Sequence, residues 1–179
     1  MKHGVIFSAL LVGSALLLSA CDNGGKTEVD ANATKILDGK ASIVMPEGFV
    51  RMPQEMLEAR YPAEQRPQEA WYVESEGGKV AIVFNLTDNA ISEAQVPKLA
   101  EIMKQQMSDF SPSISEVTVN GRKMSRLEMT TPTEEGNIYN LMQISSRDGK
   151  FLLSAFNTAE ELKEKYAPAG QAALSSLKY

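Results

Sequence analysis

The chain has 179 residues, a formal net charge of −5, 43% hydrophobic residues and 23% charged residues. This is enough for one ordinary domain, too few for two, and has the composition of a globular chain. An acidic balance with no run of basic residues excludes a nucleic-acid surface, which needs clustered Lys and Arg to displace counterions.

The N-terminus reads in three parts. Met1-Lys2-His3 is a short positive region, Gly4–Leu18 is uncharged and apolar, and Ser19-Ala20 are small residues directly before Cys21, the one cysteine. That is a secretory signal layout. As a helix, Gly4–Ala20 would be roughly 25 Å long, the lower edge of a membrane span, so an uncleaved anchor is the alternative. Taken alone, Cys21 is open to being a core thiol, a nucleophile or a metal ligand. Leu18-Ser19-Ala20-Cys21, however, resembles the lipobox of bacterial lipoproteins. The resemblance implies diacylglycerol on the Cys21 sulfur, cleavage before Cys21 and acylation of the new amino terminus. Several acyl chains on one residue anchor stably, at about 0.8 kcal/mol per buried CH₂. Asp22-Asn23 resembles the inner-membrane retention signal of enteric lipoproteins. The expected location is therefore the periplasmic side of the inner membrane, with the outer membrane as the alternative.

Removing residues 1–20 takes away Lys2 and His3, the one histidine, and makes the net charge one unit more negative. With Cys21 blocked by lipid, the mature chain has no Cys-His or Ser-His machinery and no Cys/His zinc site. Neither a metal nor a cofactor is expected. A disulfide within the chain is impossible with one cysteine, so the core alone must hold the domain.

Residues 22–35 form a polar tether with no hydrophobic period, reaching at most roughly 50 Å. The organisation expected is a signal over 1–20, lipidated Cys21 and tether over 21–35, and one domain over 36–179. The sequons at Asn32–Thr34 and Asn85–Thr87 carry no weight in a bacterial lipoprotein.

"GKASIVMP" predicts a first strand with Ala41, Ile43 and Met45 on one face, stopped by Pro46. "PQEMLEARYP" predicts a short helix covered on one side by Met56, Leu57 and Tyr61. "EAWYVES" and "KVAIVFN" predict strands joined by a tight hairpin at Gly77-Gly78. Trp71 and Tyr72 fall on opposite faces. The runs Val80–Phe84 and Phe151–Phe156 are apolar without alternation, which predicts burial on both faces and helices on both sides of the sheet.

A long helix is predicted from Glu93 to Phe110. Ser92 and Gln95 match a capping box, and Val96, Leu99, Met103, Met107 and Phe110 form an apolar stripe, with the regular part opening at Pro97. Asn120-Gly121 and Asp148-Gly149 predict type I′ hairpins, hence antiparallel pairing and a meander. "TTPTEEGN" reads as a loop. Thr158 to Glu161 matches a second capping box for a final helix with Leu162, Tyr166, Ala169, Ala173 and Leu177 inward and a kink or break at Pro168. The fold class expected is α+β: an α/β/α sandwich whose antiparallel meander sheet is flanked by helices on both faces.

The carboxylate pairs Glu134-Glu135 and Glu74/Glu76 are the candidate acids, but nothing in the sequence separates them from solvated loop charges. There is no EF-hand, Walker loop, G-x-S-x-G or G-x-G-x-x-G. The basic residues of "GRKMSR" are expected on an outward face. Met52 and Met56 are the methionines best placed for an adaptable surface, and Met103 and Met107 are expected in the core.

"KILDGKASIVMPEGF" (Lys35–Phe49), Trp71, "AIVF" (Ala81–Phe84) and "VNGRKMSRLEM" (Val119–Met129) together resemble the DcrB family of bacterial envelope lipoproteins. The segment Arg51–Gln68 departs from that family's pattern. The resemblance implies a PsbP-like fold, with an antiparallel sheet between helices. It also implies a lipid-anchored inner-membrane protein linked to envelope integrity and phage entry, with no catalytic residues to carry over. The expected partners are the membrane, envelope proteins and phage components. The alternatives are a carboxylate-based envelope hydrolase and a chaperone-like binder of apolar protein segments.

Overall fold

The computed structural model describes residues 32–179. Leu18, Ser19, Ala20, Cys21, Asp22 and Asn23 therefore lie outside the described residues. A hairpin of β1 (Ala33–Ile36) and β2 (Ala41–Val44) opens the domain. β1 begins inside the stretch read as tether, because Ile36 is buried beside Ile43. A seven-stranded sheet follows, in the order β3-β4-β5-β9-β8-β7-β6. Its strands are β3 (Phe49–Arg51), β4 (Glu69–Val73), β5 (Val80–Ala90), β6 (Ser113–Val119), β7 (Arg122–Thr133), β8 (Gly136–Arg147) and β9 (Lys150–Ala159). Every pairing is antiparallel. The helices are α1 (Gln54–Arg60), α2 (Val96–Gln106) and α3 (Lys163–Ser175).

The two predicted type I′ turns are present. Asn120-Gly121 joins β6 to β7 and Asp148-Gly149 joins β8 to β9, with positive φ at all four residues, as type I′ geometry requires. "TTPTEEGN" is mostly strand, and only Glu134-Glu135 turns, between paired Thr133 and Gly136. Pro132 is tolerated in β7 because β6 pairs with β7 only as far as Glu128, leaving an open edge beyond it. The β4–β5 connection is not a tight Gly-Gly turn. A 3₁₀ turn at Glu74–Glu76 precedes Gly77 and Gly78, and Glu76 has a reason to be there: it accepts hydrogen bonds from Tyr166 Oη at 2.7 Å and Lys165 Nζ at 2.9 Å.

One sheet face packs under α3 and the β1–β2 hairpin. Ile36, Ile43, Phe84, Phe156, Leu174 and Leu177 are sealed there, each contributing on the order of 1.5–3 kcal/mol by full burial. The last residues stitch the hairpin in place: Ser42 and Lys178 exchange main-chain hydrogen bonds of 2.8 and 2.9 Å. α3 lies so close to β9 that a side chain at Gly170 would place its Cβ under 3 Å from ring carbons of Phe156. α3 runs unbroken through Pro168, so the expected break is absent. The second capping box is absent too. Thr158 is inside β9, and its hydroxyl donates to Ala159 O instead of capping a helix.

The outward reading of "GRKMSR" is also corrected. Arg126 is buried, donating from Nε to Gln143 Oε1 and from Nη2 to Ser175 Oγ, both at 2.9 Å. Gln143 Nε2 in turn donates to Leu174 O at 2.9 Å. A cation and an amide thus meet the last turn of α3, where unpaired carbonyls gather. Arg122 stacks over Tyr179 at 4.8 Å.

The opposite face is covered in two separate patches. α1 sits over Met52, Ala70, Tyr72 and Ala81, so Met52 is core and not adaptable surface. α2 sits over Leu127 and Ile144, entered through the predicted capping box and Pro97. It buries Val96 and Ala100 fully, whereas Met103 and Met107 stay half-buried and Ile102 and Phe110 are 42% and 40% exposed. Phe110 is thus outside the inward stripe, because a 3₁₀ turn at Ser108–Phe110 ends the helix and rotates it away.

Candidate binding cleft

Between the two patches the sheet face is open. Tyr72, Ala81, Asn157, Asn140 and Met129 stand side by side across β4, β5, β9, β8 and β7, in register. α1 covers Tyr72, and Met129 is buried at the far side. Ala81, Asn157 and Asn140 between them floor a cavity of about 750 Å³. The C-terminus of α1 and the following turn form one wall, with Arg60, Tyr61 and Gln65. The β7–β8 turn forms another, with Thr133, Glu134 and Glu135.

The floor is a hydrogen-bond chain. Asn157 Nδ2 donates to Asn140 Oδ1 at 2.6 Å, and Asn140 Nδ2 donates to Thr131 Oγ1 at 3.0 Å and to Ile138 O at 2.9 Å. Asn140 is fixed by these bonds. Asn157 keeps its Oδ1 and one N–H for the cleft.

The walls are held locally. Arg66 Nε donates to Tyr61 O at 3.4 Å and pairs with Glu58 at 3.7 Å, and Gln65 N donates to Pro62 O at 2.9 Å. The Arg60 guanidinium rests against Gly78, where a Cβ would come within 2.6 Å of Nη1. Burial raises the Tyr61 phenol above its ordinary value, with Arg60 opposing, so Tyr61 is a neutral wall. On the opposite wall, Glu135 N donates to Thr133 Oγ1 at 3.3 Å.

The cleft brings Glu134 and Glu135 together but not Glu74 or Glu76. Lys165 first, then Tyr166, hold the Glu76 carboxylate below its ordinary value. The Asp88 and Glu161 carboxylates are also lowered, Asp88 mainly by Lys150 and Glu161 mainly by a main-chain hydrogen bond. Tyr139, on the α3 face, is pushed up to about 12 by burial and then by the Glu128 carboxylate. No group of three or more acidic, His or Cys side chains is arranged to hold a metal among the described residues.

Sequence reasoning missed Arg60, Gln65, Asn140 and Asn157. The signal for the asparagines is weak, because each is one of several polar residues in its strand. It acquires meaning only once β8 and β9 are paired.

A second cavity of about 420 Å³ lies at the other end of β9, lined by Ile91, Leu99, Ile102, Met103 and Phe151 with Lys98 at its side. Elsewhere on the α3 face, Glu69 is a buried carboxylate. It accepts from Leu37 N at 2.7 Å and Trp71 Nε1 at 2.8 Å and pairs with Arg51 at 3.6 Å. It holds the positive-φ turn at Leu37-Asp38 against the sheet, a structural role.

No family model and no curated protein matches the chain. Solved structures do. Cyanobacterial PsbP (CyanoP) from Synechocystis sp. PCC 6803 is 11% identical, with a TM-score of 0.56, over 87% of this chain and 97% of that one. LpqN, involved in cell envelope biogenesis of Mycobacterium tuberculosis, is 12% identical, with a TM-score of 0.52, over 77% and 82%. A protein from Bacteroides thetaiotaomicron VPI-5482 is 11% identical, with a TM-score of 0.53, over 82% of this chain and 47% of that one. The fold is PsbP-like.

Proposed function

We propose that this chain is a non-catalytic accessory binding protein of the bacterial envelope. In this reading, lipid on Cys21 tethers it to the periplasmic side of the inner membrane, with Asp22-Asn23 as the retention signal. The observation that carries the binding role is the cleft between α1 and the β7–β8 turn, an open and hydrogen-bond-lined gap in the sheet face between the α1 and α2 patches. The signal and lipobox motifs support the tether, and the DcrB resemblance supports a role in envelope integrity or phage entry. LpqN's part in cell envelope biogenesis accords with this.

A hydrolase has less support. It needs two carboxyls facing one another across a substrate, and the acids the cleft brings, Glu134 and Glu135, are neighbours on one exposed turn. One observation favours a second reading, a chaperone for apolar segments: the half-exposed ridge of Leu99, Ile102 and Met103 beside Phe151.

In-cell crosslinking of the wild type and of Cys21→Ser, followed by mass spectrometry, tests the proposal. The wild type is expected to capture envelope proteins and to carry acyl groups on Cys21, and Cys21→Ser to lose both. Capture of no envelope protein by either form, or an unmodified Cys21, would overturn it.

A further inference from the structure

Resting on the binding role proposed above, we infer that the cleft takes an extended polypeptide segment bearing an acidic and a basic side chain a few residues apart. Two features of the cleft select this ligand. The floor and one wall present side-chain amides, Asn157 and Gln65. A primary amide offers a donor and an acceptor together, the complement of a peptide group. Asn140 and its partners hold the Asn157 amide in place, so little orientational freedom is lost on binding.

The second feature is the charge arrangement. Arg60 stands on the α1 wall, and Glu134 and Glu135 stand on the opposite turn. An apolar ligand would bury the Asn157 amide without a partner and bring nothing to pair with the charged walls. A neutral saccharide would satisfy the amides but bring no counter-charge to either wall. An extended peptide answers both, since its main chain presents amides at a regular rise of about 3.3 Å per residue and its side chains can carry both signs.

The test is selection of random heptapeptides displayed on phage against the full chain, immobilised in detergent micelles. Peptides with an acid and a base two to four residues apart are expected to enrich over empty micelles. Purified as single peptides, they should bind about tenfold more weakly to Arg60→Ala and to Asn157→Leu, the loss of one charge-assisted or desolvated hydrogen bond. Ile102→Ser, in the other cavity, should leave them unchanged. Circular dichroism melts identify any variant that fails to fold, and Glu134→Gln/Glu135→Gln, on an exposed turn, then serves in its place.

No enrichment, enrichment of apolar peptides, or binding undiminished in the variants would overturn the inference. So would displacement of the peptides by an N-acetylglucosamine tetramer, which would identify a saccharide site. If crosslinked partners persist in Arg60→Ala and Asn157→Leu, the binding role stands and only this ligand assignment falls.

Discussion

The same strands present two differently finished faces. On the α3 side, successive inward residues of β5 and β9, such as Ile82, Phe84, Leu152 and Phe156, are at or near zero exposure under one continuous cover. On the other side, α1 and α2 seat themselves at opposite ends of the sheet, and the middle carries Asn140 and Asn157. On the sealed side the buried Gln143 amide is engaged at both ends, by Arg126 and by Leu174 O, whereas Asn157 on the other side is half-exposed with hydrogen-bonding capacity to spare. On the proposed function these half-exposed amides serve a ligand, while the continuous core lies on the α3 side and the α1 and α2 patches add smaller ones.

Substitutions on the two faces should separate accordingly. The largest effect is expected on the sealed side. Gly170→Ala forces a methyl against the Phe156 ring, so α3 must lift or the ring must leave its rotamer, at about 1–3 kcal/mol. Urea unfolding would show a lower midpoint with unchanged slope, and an unchanged midpoint would break the claim that α3 seals this face at contact distance. A smaller effect is expected in the open cleft. Asn157→Leu removes a hydrogen bond from a half-exposed site and adds apolar area, so the unfolding free energy should change by under about 1 kcal/mol. A loss as large as that of Gly170→Ala would mean that the asparagine chain is structural and not reserved for a ligand.

The smallest effect is electrostatic. Glu76 is lowered in the folded state by Lys165 and Tyr166, so it contributes stability above the ordinary glutamate value of 4.5 and loses it as pH falls through the lowered folded value. Glu76 ties the β4–β5 turn to α3, so the acid loss belongs to the sealed side. Tyr166→Phe, which removes one of its two hydrogen-bond donors, should shrink the difference between unfolding midpoints at pH 7 and pH 3. An undiminished difference would place the acid sensitivity elsewhere.

Much of the fold was legible because local chemistry dictates it. Asn-Gly and Asp-Gly turns require positive φ and appear where read. Apolar runs at Val80–Phe84 and Phe151–Phe156 marked strands covered on both faces. The capping box at Ser92 and Gln95 marked the entry to α2. Errors fell where a distant partner overrode the local signal. Arg126 turned inward to meet the end of α3, Thr158 was claimed by β9 before it could cap, and Met52 went under α1. The candidate site was the least legible part. Arg60 is far in the chain from Glu134, Asn140 and Asn157, and none of the four is unusual on its own.

From the sequence alone came the elements, the antiparallel hairpins, the expectation of helices on both faces, and the motifs at Leu18–Asn23 that speak to location. These are local matters: backbone preferences, periodicity and short recognition motifs act within a few residues. Only the tertiary structure decided that β5, paired with β4 on one side, takes β9 and not β6 on the other, and that α1 and α2 settle at opposite ends of one face. Those are long-range choices, made by which buried surfaces fit one another, and the open cleft is the space they leave.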